Sequence, residues 1–309
     1  MRGAFFQTLV ESAERDDRIY LVLADIGFGV IEPFARKFPE RFLNVGVAEQ
    51  NLTGIATGIA LTGKIVFTYS IANFPILRCF EQIRNDVCYH KANVKIVSVG
   101  GGYSYGSLGM THHATEDLAV MRALPEMVVL APGDPLEVRE ATRAMAAYDG
   151  PCYMRLGRAG EPVLHDSAVK FELGKAIQVR DGDAITMISA GALLQNAMLV
   201  ADQLAVRGVQ ARVLSMHTIK PLDEEAILAA ARETRAIVTL EEHSIIGGLG
   251  GAVAECLAES GLSVPFRRIG LPSAFCSRIG SQDYLRTQSN LSPESILSAL
   301  EQLLAVHLV

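Results

Sequence analysis

The chain has 309 residues, half of them hydrophobic and 20% charged, and its 28 basic and 34 acidic side chains leave a net charge of −6. So much apolar chain is enough for two ordinary buried cores and excludes an intrinsically disordered protein. The mildly acidic balance speaks against general nucleic-acid binding.

In chain order, residues 1–18 mix Phe5, Phe6 and Leu9 with Glu11, Glu14 and Arg15, which a secretory leader with its uninterrupted apolar stretch would not do. Strand patterns then fall at 19–24, 65–69, 94–99, 127–130 and 152–155. Between them Leu52, Ile55, Ala56 and Ile59, and again Leu77, Phe80, Ile83 and Val87, recur at helical spacing. Asp134-Pro135 before Leu136, Val138, Ala141 and Met145 reads as a capped helix start with proline in the first turn. Alternation lapses around 157–183 into Gly, Pro and charged residues, which places a domain boundary near residue 165 and divides the chain into 1–165 and 166–309. Strand patterns resume at 184–189, 211–215, 237–240 and 264–269, and a last helix follows Pro293. Strands alternating with helices predict an α/β protein with parallel sheets.

Cys79, Cys88, Cys152, Cys256 and Cys276 are scattered without a CxxC pair, which points to a reducing, cytoplasmic setting and away from disulfides or a zinc site. No apolar run approaches the roughly 20 residues that span a bilayer, so no membrane partner is expected.

In open parallel sheets ligands gather at the carboxyl ends of strands, which singles out three loops. In the first, Glu49 sits among Val47, Ala48 and Leu52 where a short apolar segment feeds a helix. A carboxylate there is partly desolvated and suited to sharing a proton; equally, it complements the positive end of the helix dipole. The second loop, 100–113, has five glycines and ends in His112-His113, so mobility or close backbone approach coincides with titratable groups. The third, Ile245–Gly251, lacks the GxGxxG spacing of a dinucleotide fingerprint; it reads as a tight turn, with His243 structural. Arg155 and Arg158 close another strand, suited to a phosphate or carboxylate or else to surface salt bridges.

Six segments together, Asn44–Asn51 (NVGVAEQN), Arg78–Val87 (RCFEQIRNDV), Gly109–His112 (GMTH), Asp117–Leu118, Ala131–Asp134 (APGD) and Ile219–Asp223 (IKPLD), resemble the C-terminal half of transketolases. They also resemble the matching half of 1-deoxyxylulose-5-phosphate synthase. The resemblance runs in order through nearly the whole chain. It implies a parallel-sheet pyrimidine-binding domain for thiamine diphosphate followed by a smaller α/β transketolase C-terminal domain. It further implies that Glu49 hydrogen-bonds the coenzyme's aminopyrimidine and selects the tautomer that deprotonates the thiazolium, a division of labour in which the cofactor supplies the carbanion chemistry. By the same resemblance His112 contacts substrate, Arg155 binds a sugar phosphate with Arg158 behind it, and Asp25 is a substrate-side polar residue.

The departures from the family pattern are specific. Leu108 replaces the acid of the synthase-type loop, which disfavours a synthase. Relatives place aromatics just before the arginine matching Arg78; here Phe74, with Tyr69 second, is the expected pyrimidine contact. No Gly-Asp-Gly metal and diphosphate motif occurs, and Arg180-Asp181-Gly182-Asp183 is only a charged turn. A dication on a diphosphate needs hard oxygen ligands of that kind. The expectation is therefore half an active site: Mg²⁺ and diphosphate held by an N-terminal subunit in an α2β2 transketolase acting on sugars or sugar phosphates, with no metal ligand on this chain. A 2-oxo-acid dehydrogenase β subunit, a 1-deoxyxylulose-5-phosphate synthase-like enzyme and a non-catalytic assembly subunit are the alternatives.

Overall fold

A computed structural model describes residues 1–165 and 169–307. The strands are β1 Ile19–Leu23, β2 Phe42–Asn44, β3 Ile65–Ile71, β4 Val94–Val99, β5 Val128–Leu130 and β6 Cys152–Leu156. They continue as β7 Ile177–Arg180, β8 Ile185–Ser189, β9 Ala211–Ser215, β10 Thr218–Lys220, β11 Ile237–Ser244 and β12 Phe266–Leu271. Helices α1 Arg2–Arg15, α2 Glu32–Lys37, α3 Glu49–Ala60, α4 Phe74–Leu77, α5 Phe80–Gln82, α6 Asp117–Ala123 and α7 Pro135–Ala147 belong with the first six strands. After them come α8 Leu194–Val206, α9 Glu224–Glu233, α10 Leu249–Ser260, α11 Gln282–Gln288 and α12 Pro293–His307.

Two sheets result. The first runs β10-β5-β6-β4-β3-β1-β2 and the second β12-β11-β8-β9-β7. All pairings are parallel except β10 on β5 and β7 on β9. The fully buried runs of β4 and β6 follow from helices covering both faces, so apolar residues occupy successive positions instead of alternate ones. Alternation still sorts the faces of β3. Val66 joins a core with Ile96, Val129 and Tyr153 that continues into Ile188, Leu214 and Val253 of the second half. Phe67 and Tyr69 point the other way, into a core with Phe5, Phe6 and Leu9 of α1. Each fully buried side chain of that size is worth about 1.5–3 kcal/mol, which explains why α1 is pinned although its sequence is heavily charged.

The nine expected strands are all present, two with the expected bounds and the others with ends moved by at most four residues. Three short ones, β2, β7 and β10, carry too little apolar pattern to be read. The expected helix through Leu77, Phe80, Ile83 and Val87 is broken instead into α4, α5 and a π-helical segment at Ile83–Cys88. Asp134 caps α7 as its side chain accepts the Glu137 N–H at 2.8 Å. The expected division falls at 165/166, and residues 166–168 lie outside the described residues.

Candidate functional site

The carboxyl edge of the first sheet collects most of the expected residues. Glu49 is the first residue of α3 and only 3% exposed. Its Oε2 accepts Arg78 Nη1 at 2.9 Å, and no hydrogen bond reaches Oε1 among the described residues. Arg78, one helical turn beyond Phe74, lays its guanidinium 4.6 Å from that ring. Phe74 in turn meets the His112 ring edge-on at 5.1 Å. Tyr105 lies 6.4 Å beyond His112, and the Arg158 guanidinium sits 5.1 Å over Tyr105. A continuous row therefore joins Glu49, Arg78, Phe74, His112, Tyr105 and Arg158, four of which the sequence singled out. Arg78 and Tyr105 were missed; the four-residue spacing of Phe74 and Arg78 was the available sign.

His112 is half-buried and its Nδ1 lies 3.0 Å from Thr111 Oγ1. Asn73 Nδ2 donates to Thr111 O at 2.6 Å, tying the loop to the start of α4. His113 turns inward, edge-on to Tyr103 at 4.9 Å, where burial lowers its pKa and keeps the ring neutral. Asp25 shares the carboxyl edge in left-handed backbone, φ 50°, which aspartate tolerates. It exchanges two 3.0 Å hydrogen bonds with Asn44, and no contact links it to the row among the described residues. Beside the row a groove of about 450 Å³ opens between Thr111, His113 and Glu116 of the first half and Phe275 and Cys276 of the second.

Besides Asp25, two expected residues are not in the row. Tyr69 is fully buried in the aromatic core, stacked on Phe5 at 6.0 Å and edge-on to Phe6 at 4.8 Å, because its strand position faces α1. Arg155 is 8% exposed, and its Nη2 donates to Glu242 O at 2.6 Å and Ala114 O at 3.2 Å. A further 3.5 Å ion pair joins Arg155 Nη1 to Asp117. Those protein acceptors leave Arg158 as the exposed cation of the pair.

His243 is fully buried, as a structural residue should be: Nδ1 bonds Ser244 O at 2.7 Å, Nε2 accepts the Ala119 N–H at 3.3 Å, and desolvation lowers its pKa to about 4. Among the described residues no group of three or more His, Cys, Asp or Glu could hold a metal ion, and no helix is long and apolar enough to cross a membrane.

Residues 1–160 match the transketolase pyrimidine binding domain, and residues 174–296 match the transketolase C-terminal domain. The chain belongs to the transketolase family. Its domain content is that of a transketolase subunit carrying the C-terminal half. It is 39% identical, over 98% of its length and 94% of the relative's, to the 6-deoxy-6-sulfo-D-fructose transketolase subunit SqwH of Clostridium sp.. It is 43% identical to one of the subunits of the apulose-4-phosphate transketolase of Phocaeicola vulgatus, covering 88% of this chain and 87% of that one. Among solved structures, a split gene transketolase described as an inactive beta4 tetramer superposes with a TM-score of 0.90 at 38% identity, covering 99% and 98% of the two chains.

A flat nitrogenous ring fits the head of the transketolase row: the buried Glu49 carboxylate has one oxygen on Arg78 and the other without a hydrogen-bond partner among the described residues.

Proposed function

We propose that this chain is the pyrimidine-binding subunit of a transketolase, transferring a two-carbon ketol unit from a ketose or ketose phosphate to an aldose. Thiamine diphosphate, when bound, supplies a nucleophilic carbon that cleaves the bond next to the ketose carbonyl and carries the fragment. Glu49 shares a proton through Oε1 with a ring nitrogen of the aminopyrimidine, Arg78 fixes the other oxygen, and Phe74 packs against the ring. His112 orients substrate hydroxyls, and Arg158 takes a terminal phosphate. The observation that carries this reading is the open oxygen of a buried carboxylate at the head of one contact row.

Mg²⁺ and the diphosphate go to a partner subunit, in an α2β2 assembly in the cytoplasm. One feature supports a partner. Val47 (75% exposed) and Met110 (48%), each two residues from a member of the row, leave apolar surface there. The division near residue 165 separates the two domains.

The test is reconstitution with a diphosphate-domain subunit encoded beside this chain. Ketol transfer from a ketose to an aldose is expected only from the mixture. Turnover by this chain alone overturns the subunit claim, and a preference for pyruvate with an artificial electron acceptor overturns transketolase in favour of a 2-oxo-acid dehydrogenase.

A further inference from the structure

The loop carrying His112 is closed on itself and then gripped by the second half of the chain. Its ends meet in an antiparallel bridge, with Gly102 N donating to Ala114 O at 2.8 Å and Ala114 N to Gly102 O at 3.0 Å. From β11, Glu242 Oε1 accepts the Tyr103 N–H at 2.7 Å. From the turn before α11, Gly280 N donates to Gly106 O at 3.3 Å, and from α11 Gln282 Nε2 donates to Ser104 Oγ at 3.2 Å.

Glu242 is itself immobilised. Arg286 donates to Oε2 from Nε at 2.8 Å and from Nη2 at 2.5 Å, while Gln282 Nε2 reaches both oxygens at 3.0 and 2.9 Å. Arg155 binds the backbone oxygens of Glu242 and of Ala114, joining the clamp to the end of the loop. The approach is close: Gly102 has φ +61°, and a Cβ there would lie 2.6 Å from Glu242 Cγ.

Glu242 and Arg286 are 6% and 8% exposed. Burying that pair costs desolvation that apolar residues of similar volume would avoid, so stability alone is a poor reason for it. A forked guanidinium on a carboxylate fixes direction as well as distance. The direction it fixes is that of the Tyr103 amide, the first amide inside the bridge that closes the His112 loop.

The geometry points to Glu242 and Arg286 as positioning residues for His112: the second domain sets the substrate loop of the first. This rests on His112 being substrate-facing, as proposed above. The inference also accounts for Arg155, whose buried guanidinium acts as part of the clamp.

The experiment labels the histidines of the full chain at Cε1 with ¹³C, identifies His112 through His112→Gln, and follows its resonance, displaced by the Phe74 and Tyr105 rings. Glu242→Ala moves that resonance to the free imidazole position and speeds amide exchange across residues 103–113 at least tenfold, with circular dichroism unchanged. Glu242→Gln, which keeps an acceptor for Tyr103, recovers part of both. A folded Glu242→Ala chain whose resonance and exchange stay at wild-type values overturns the proposal. Should Glu242→Ala fail to fold, Arg286→Lys decides instead: a smaller shift in the same direction supports the clamp, and no shift overturns it.

These readouts need neither coenzyme nor partner, so they stand if reconstituted wild type shows no ketol transfer, a result that counts against the transketolase reading alone. In active reconstituted enzyme the variants raise the KM for ketose about tenfold, the loss of one good hydrogen bond, with coenzyme affinity kept. An unchanged KM in a variant whose His112 has moved overturns the proposal.

Discussion

Replacing Glu49 by Gln separates proton chemistry from architecture at the head of α3. Glutamine keeps the size of the side chain and an oxygen for Arg78, but not a proton that can be exchanged. A well-placed acid or base contributes about 10²–10⁴-fold, so the expected loss in kcat is roughly 10³-fold, or about 4 kcal/mol. The structural cost should be far smaller. Arg78 is 52% exposed, so the ion pair given up is screened by solvent and worth less than about 1 kcal/mol. The assay is initial rates in the reconstituted enzyme at saturating coenzyme, with urea unfolding of the isolated chain in parallel. A thousandfold loss at nearly constant stability is the expected pair. A rate within about threefold of wild type refutes the proton-sharing role, and a rate loss matched by several kcal/mol of destabilisation means the carboxylate serves the fold.

Arg158→Ala should raise the KM of a sugar phosphate about tenfold or more while sparing the free sugar, since a hydrogen bond to a charged group is worth about 1.5–3 kcal/mol; equal effects on both in a competition assay would remove Arg158 from phosphate recognition. Burial raises the Glu241 carboxyl from 4.5 to about 7. The folded state binds that proton more tightly than the unfolded one, so its stabilisation is complete below pH 4.5 and is lost as pH rises through 7. The stability of Glu241→Gln relative to wild type should therefore climb over that window by on the order of 3 kcal/mol and then level off; denaturant melts across pH that show a constant difference would contradict it. Phe34→Ala, at a fully buried ring 5.1 Å from Phe38, should cost about 3–5 kcal/mol in urea melts, and a cost under about 1 kcal/mol would mean the core closes over the gap.

The strands buried on both faces were legible because β-branched runs between helical patterns have few other readings. β2, β7 and β10 were not. The last two lie antiparallel at sheet edges, and pairing between distant segments leaves little local trace when a strand has three or four residues. Glu49, Phe74, His112 and Arg158 were accessible through motif and strand-end position. Arg155 and Tyr69 show what that approach misses. Strand-end position does not tell whether a guanidinium finds water or three protein oxygens, and Tyr69 follows its strand's alternation into the α1 core. Glu242 carries no motif, and its partners lie about 40 and 140 residues away in sequence.

The placement of β10 bears on dissection of the protein. This strand comes from beyond residue 165, yet it zips onto β5, Thr218 opposite Leu130, and borders the seven-stranded sheet of the first half. A fragment ending at the linker would bare the amides and carbonyls of β5 as a sticky rim, inviting self-association where the intact chain has its own cover. The halves can be told apart by family, but neither is a freestanding brick.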